Sequence, residues 1–181
     1  RLIDLLSGLM KCHSYQECWE LLLAEMKQLG FSHGLYGYLI ESGNSTKPRY
    51  LAATHYPEDF MADYLRHDGE KHDIGVTWCW SRDEVLKWNQ PEHASLLTKE
   101  SLIIEELSFD HKIVNGISIP LKEKGNGNWG GIGLSATGVG EREFDRDIYS
   151  HLDYIYQAAM LFHSIAQRHP KYDLFVESDH F

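Results

Sequence analysis

The order in which hydrophobic periodicity changes along the chain restricts it to few architectures. Positions 33 to 40 alternate, with Leu35, Gly37 and Leu39 on one face and Tyr36 and Tyr38 on the other. A polar turn at Glu41–Lys47 and a returning strand at Arg49–Thr54 complete a hairpin. A second hairpin is expected from strands at Asn115–Leu121 and Trp129–Ala136, joined by the turn Lys122–Asn128. Elsewhere the apolar residues recur at helical spacing, so the predicted order is α-α-β-β-α-α-α-β-β-α. Helices grouped between hairpins, with no strand-helix-strand alternation, predict an α+β domain in which helices cover both faces of an antiparallel sheet.

The helices carry their own start and stop signals. Leu2, Ile3, Leu5, Leu6, Leu9 and Met10 share helical spacing. Ser14 and Glu17 form a capping box ahead of a helix burying Trp19, Leu22, Leu23, Met26 and Leu29, which Gly30 stops. Pro57 suits the first turn of a helix running to about Arg66. A second capping box, Ser81–Glu84, predicts a short helix ending near Trp88, and Pro91 opens a helical segment reaching about Phe109. A long helix is expected from about Glu141 to Gln167. Its stripe is Phe144, Ile148, Leu152, Ile155, Ala159, Phe162 and Ala166. His169-Pro170 ends it, leaving Lys171–Phe181 as a linker, so residues 1–170 are read as one domain.

Composition narrows the function. Apolar residues make up 43% of the 181, enough for a continuous core, and five Trp and ten Tyr suit either a core or a ligand pocket. A formal net charge of -10 opposes binding to phosphate backbones or anionic membranes. Cys12, Cys18 and Cys79 lack CxxC spacing, which argues against a disulfide framework or structural zinc and fits a reducing cytoplasm. No apolar run approaches the ~20 residues that span a bilayer. The first residue is Arg1 rather than Met, which predicts a trimmed native N-terminus.

Three motif matches fail on context. Gly125-Asn126-Gly127-Asn128-Trp129-Gly130 fits G-x-G-x-x-G, but a strand rather than a helix follows, so a hairpin turn is the reading. Ser135 misses the nucleophile-elbow spacing by one residue. Among eleven histidines the closest grouping is His67, His72 and Asp73, which completes no coordination set. Neither a catalytic residue nor a metal or cofactor site is expected.

The segment Tyr56–Trp88 is more specific. Tyr56, Phe60 and Tyr64 recur at i, i+4 and i+8, stacking three rings on one helical face. Asp73 follows among apolar and small neighbours, then Trp78, Trp80 and Trp88. A carboxylate surrounded by large rings needs a hydrogen-bond donor, because an unpaired buried charge is expensive. A plain core stripe beside an exposed Asp73 fits the same spacing.

That segment resembles the autoinducer-binding domain of LuxR-type quorum-sensing regulators. The pattern is Tyr56-Pro57-x-x-Phe60-x-x-x-Tyr64, then Asp73, then Trp88, continued by Gly116-Ile117-Ser118-Ile119-Pro120-Leu121 and the glycine-rich hairpin. Gly30-Phe31-Ser32 before the first strand also fits. The resemblance implies an α-β-α sandwich, GAF/PAS-like, with a central five-stranded antiparallel sheet. Its ligand, usually an N-acyl homoserine lactone, lies between the sheet and one helical layer. By position, Tyr56 would donate to the acyl amide carbonyl and Asp73 would accept from the amide N–H. Tyr64 and Trp88 would wall the head group, Leu35, Gly37, Leu39 and Ala52 would face the acyl chain, and Phe60, Ile74, Trp129 and Gly133 complete the expected ligand-binding set.

Phe60 stands where the family typically has a Trp donor to the lactone carbonyl, Ile74 replaces the usual Pro, and Gly133 replaces a frequent Ser or Thr. These departures point to a non-lactone hydrophobic signal as an alternative ligand. The resemblance further implies a homodimer, with DNA bound only through a C-terminal helix-turn-helix domain that this chain does not contain. A small-molecule hydrolase, and a GAF- or PAS-like module with another ligand or serving only to dimerise, are the competing readings.

Overall fold

The computed structural model describes residues 1–40, 49–123, 125 and 127–169; the first polar turn and the expected linker Lys171–Phe181 lie outside them. In chain order the elements are α1 (Leu2–Leu9), α2 (Tyr15–Gln28), β1 (His33–Ile40), β2 (Arg49–Thr54), α3 (Glu58–Arg66), α4 (Gly69–His72), α5 (Ile74–Ser81) and β3 (Leu86–Lys87). A tight 3-10 turn at Pro91–Leu96 then leads to α6 (Lys99–Asp110), β4 (Gly116–Lys122), β5 (Trp129–Ser135), α7 (Glu141–Glu143) and α8 (Leu152–Ala166).

The five strands form one antiparallel sheet in the order β2-β1-β5-β4-β3, as the family resemblance implies. Helices α1, α2 and α8 pack together on one face, while α5 lies on β4 and β5 from the other. Alternation along the strands sorts the residues between these layers. Tyr36, Tyr38, Ile117, Ile119, Ile132 and Leu134 join Trp19, Leu22, Met26, Phe144, Ile155 and Phe162 in a closed core. Trp19, Tyr36 and Phe162 form its ring cluster, with centroids 5.0 to 6.0 Å apart. Leu35, Gly37 and Leu39 stand on the opposite face, beside Gly133, Gly131 and Trp129 of β5.

Two glycines let α5 approach the sheet. A Cβ on Gly131 would lie 2.5 Å from Cys79 Sγ, and one on Gly75 would lie 2.6 Å from Ser118 Oγ. Larger residues at either position would push α5 outward.

The structure corrects the expected helix at Ser81–Trp88. Asp73 caps an earlier helix by accepting the Gly75 N–H at 2.7 Å, so Ser81 falls at the end of α5, where its hydroxyl donates to the Thr77 carbonyl. Leu86 and Lys87 then pair with Ser118 and Ile117, forming the fifth strand that periodicity alone could not place. The helix expected from Pro91 is also interrupted. Thr98 and Ser101 exchange capping bonds of 3.1 and 2.6 Å, which restart the chain as α6. The long C-terminal helix is irregular at first, with a wide π-type turn at Phe144–Ile148 and a tight turn at Tyr149–His151 before α8. Its expected stripe is kept, with Phe144, Ile148, Ile155, Ala159, Phe162 and Ala166 all buried.

Candidate functional site

Between the glycine-bearing face of the sheet and helices α3 to α6 lies a cavity of about 560 Å³. From β1, Leu35, Gly37 and Leu39 form its floor beside Trp129 and Gly133 of β5. Tyr56, Phe60 and Tyr64 supply an aromatic wall, with neighbouring rings 5.2 and 5.9 Å apart. Asp73 and Ile74 enter at the start of α5, and Trp88 closes the end beside β3. Ala52 is the exception among the expected residues. It pairs with Gly37, but β2 is the sheet's edge, and Ala52 is exposed and outside the cavity wall.

The polar groups of the wall are tied to one another. Asp73 Oδ2 accepts the Tyr64 hydroxyl at 2.9 Å while Oδ1 caps α5. The Tyr56 hydroxyl donates to Ser135 Oγ at 2.9 Å, and the Trp88 indole N–H donates to Ser118 Oγ at 2.9 Å. Burial raises the Asp73 carboxyl above its ordinary value, against the opposing pull of the Gly75 N–H, the Tyr64 hydroxyl and the Val76 N–H. Burial likewise raises the Tyr56 phenol, with Ser135 acting the other way. Asp73 therefore sits in a water-poor setting, yet the chain itself supplies its first donors.

Ser135 and Ser118 matter as acceptors, a role the sequence reading passed over. The signal for Ser118 was present: Ile117, Ile119 and Leu121 belong to the core, so the alternating Ser118 must face the other way. Glu70, Cys79, His93 and Glu105 also line the cavity and carried no sequence signal. Burial pushes the Cys79 thiol up to about 12, which removes its nucleophilic form at neutral pH. The hairpin glycines lead into strand β5, not into a phosphate-binding helix. Among the described residues no group of three or more His, Cys, Asp or Glu is placed to hold a metal ion, and no helix is long and apolar enough to cross a membrane.

Comparison with known proteins agrees with this geometry. A family profile described as the autoinducer binding domain matches residues 14–166. A search of curated protein sequences gave no significant match. Among solved structures, the N-acylhomoserine lactone dependent LuxR family transcription factor CepR2 from Burkholderia cenocepacia superposes with a TM-score of 0.70 at 15% identity. It covers 93% of this chain and 96% of that one. The solution structure of Escherichia coli SdiA residues 1–171 gives a TM-score of 0.72 at 15% identity, covering 92% of each chain. SdiA in complex with octanoyl-rac-glycerol gives 0.62 at 15% identity, covering 92% of this chain and 66% of that one. At such identities the structures speak for the fold, and the profile speaks for the lineage: the chain belongs to the autoinducer-binding domain family of LuxR-type regulators.

Proposed function

We propose that this domain captures a hydrophobic signal molecule in the cavity beneath the sheet, and that capture controls dimerisation and DNA binding of a full-length cytoplasmic regulator. The carrying observation is the 560 Å³ chamber in which a half-buried Asp73 meets a wall of aromatic rings. A floor of Leu35, Gly37 and Leu39 suits an apolar chain, since each buried methylene contributes about 0.8 kcal/mol. Asp73 keeps lone pairs beyond those taken by Tyr64 and Gly75, so an N–H or O–H of the guest can add to its bonds.

An N-acyl homoserine lactone or a non-lactone hydrophobic signal satisfies these features. The lactone-dependent CepR2 and the glycerol-ester complex of SdiA share the fold and support both classes. Binding rather than catalysis is the reading, because Ser135 receives a bond from Tyr56 in place of a general base and the Cys79 thiol is protonated. Dimer formation and DNA recognition are assigned to the complete regulator, whose DNA-binding domain would follow this one.

Trp88 and Trp129 line the chamber, so their fluorescence reports occupancy. Titration with N-acyl homoserine lactones of graded chain length and with acylglycerols is expected to give saturable, stoichiometric quenching. Turnover of the added compound, or no saturable response to any hydrophobic probe, would refute the capture reading.

A further inference from the structure

Most donors of the cavity wall are already bound, while its carboxyl acceptors keep capacity. The hydroxyls of Tyr56 and Tyr64, the Trp88 indole and the Asn89 amide are bound to Ser135, Asp73, Ser118 and the Val114 carbonyl. The Trp129 indole, the Gln90 amide, His93 and Ser108 are the remaining polar donors; His93 takes the Gln90 N–H on Nδ1, which leaves its proton on Nε2. Against these stand three carboxyls. Asp73 has two oxygens with capacity left, and Glu70 Oε2 is shut from solvent with no hydrogen-bond partner. Glu105 stands at the exposed end of the wall, where partial burial and then the charge of Asp73 raise its carboxyl.

Among the described residues no Lys or Arg lines the chamber. The cations flanking it on α3, α4, β3 and β4 are engaged outward: Arg66 with Asp63, Lys71 with Asp68, Lys87 with Asp145 and Lys122 with Asp83. Five rings, those of Tyr56, Phe60, Tyr64, Trp88 and Trp129, present faces or edges to the same space. A guest bringing only carbonyl oxygens would find neutral donors and no cation. A guest bringing a positive head would find three carboxyls and ring faces that attract cations.

We infer that the ligand of this cavity carries an ammonium head on an apolar body, drawn by the combined negative charge of Asp73, Glu70 and Glu105 to a place among the aromatic rings. The inference rests on the reading that the cavity is the signal site, and it names the chemical class that site selects. A bound ammonium would relieve the repulsion between Asp73 and Glu105.

The test uses three probes sharing one eight-carbon acyl chain: N-(2-aminoethyl)octanamide, its neutral isostere N-(2-hydroxyethyl)octanamide, and N-octanoyl homoserine lactone. Affinities for the full chain are read at pH 7 by tryptophan fluorescence and calorimetry. The ammonium probe is expected to bind about tenfold or more tighter than its hydroxyl isostere. That ratio is expected to fall severalfold in Glu70→Gln/Glu105→Gln, and partway in Glu105→Gln alone, whose exposed side chain lies outside the core.

Saturable binding of the neutral probes with equal or weaker binding of the ammonium probe overturns the charge inference and leaves the cavity reading standing. An ammonium preference undiminished by the double substitution also overturns it, since attraction to a chain of net charge -10 would then explain the preference. Failure of all three probes in both measurements overturns the cavity reading itself.

Discussion

Replacing Asp73 separates its structural role from its electrostatic one. Asp73→Ala removes the cap on α5, worth about 1 kcal/mol, and strips the buried Tyr64 hydroxyl of a charged acceptor, worth about 1.5–3 kcal/mol. Relief from burying the carboxylate offsets part of this loss, so the net destabilisation is about 2–4 kcal/mol. For a chain of this length that lowers Tm by about 5–12 °C. Asp73→Asn keeps an oxygen for the Gly75 N–H and turns an NH2 toward the Tyr64 oxygen, so it should stay within about 1 kcal/mol of wild type.

The two variants also differ from wild type in pH dependence. The folded-state value of Asp73 is raised above its ordinary 3.8, so the native chain holds that proton more tightly than the unfolded chain. Its contribution to stability is fully present below the ordinary value and is lost as pH rises through the raised one. Asp73→Asn should therefore gain on wild type as pH climbs from about 4. Urea unfolding of the three proteins across pH 3 to 8 measures all of this. Equal stability of the Ala and Asn variants, or an Asn variant that loses ground as pH rises, would refute the assignment.

Other residues give sharper single outcomes. Burial pushes His163, which is bonded to Tyr36, down to about 4 from an ordinary 6.5. Stability present above pH 6.5 should fall by roughly 3 kcal/mol as pH drops toward 4, and His163→Gln should flatten that slope in urea titrations. Gly130→Ala would set a Cβ 2.0 Å from the Gly37 carbonyl oxygen and should cost about 3 kcal/mol or more in chemical denaturation. Gly133→Ala meets nothing nearer than Trp88 at 3.9 Å and should stay within about 1 kcal/mol. In Ser118→Ala the Trp88 indole loses its acceptor, which should cost about 1–2 kcal/mol and shift tryptophan emission.

Much of the sheet was legible because alternation is local. Tyr36 and Tyr38 against Leu35, Gly37 and Leu39 already divided core from cavity floor, and the structure keeps that division. The helical layer over the cavity was harder. Ser81 and Glu84 carry a capping pattern, but Asp73 starts a helix eight residues earlier, and a cap is decided by which side chain reaches a free N–H first. β3 was invisible because two residues show no period; they become strand only through pairing with β4. Ring spacing at Tyr56, Phe60 and Tyr64 located the wall, whereas the donors and acceptors facing it depend on partners distant in sequence. Ser135 lies 79 residues from Tyr56, and Ser118 lies 30 from Trp88.

The division of the sheet also explains how such a domain can sense. Its first face is closed by a large core that needs nothing further, running from Leu5 to Ala166. Its second face is covered by helices whose own buried cluster is only Phe60, Tyr64, Ile104 and Ile113, fringed by half-buried Tyr56, Met61, Trp88 and Leu107. Gly131 and Gly133 keep side-chain volume out of the space between. An eight-carbon chain lodged there could bury about 6 kcal/mol of apolar contact before the costs of binding are deducted. Helix α5 is fixed to β4 and β5 at Gly131 and Gly75, so a guest would add chiefly to what holds α3, α4 and α6 in place. Ligand binding to the folded state alone raises stability as RT ln(1 + [L]/Kd), and here that gain falls on one layer rather than on the whole fold. A closed core on one face and a cavity-bearing layer on the other is the physical separation a sensor requires.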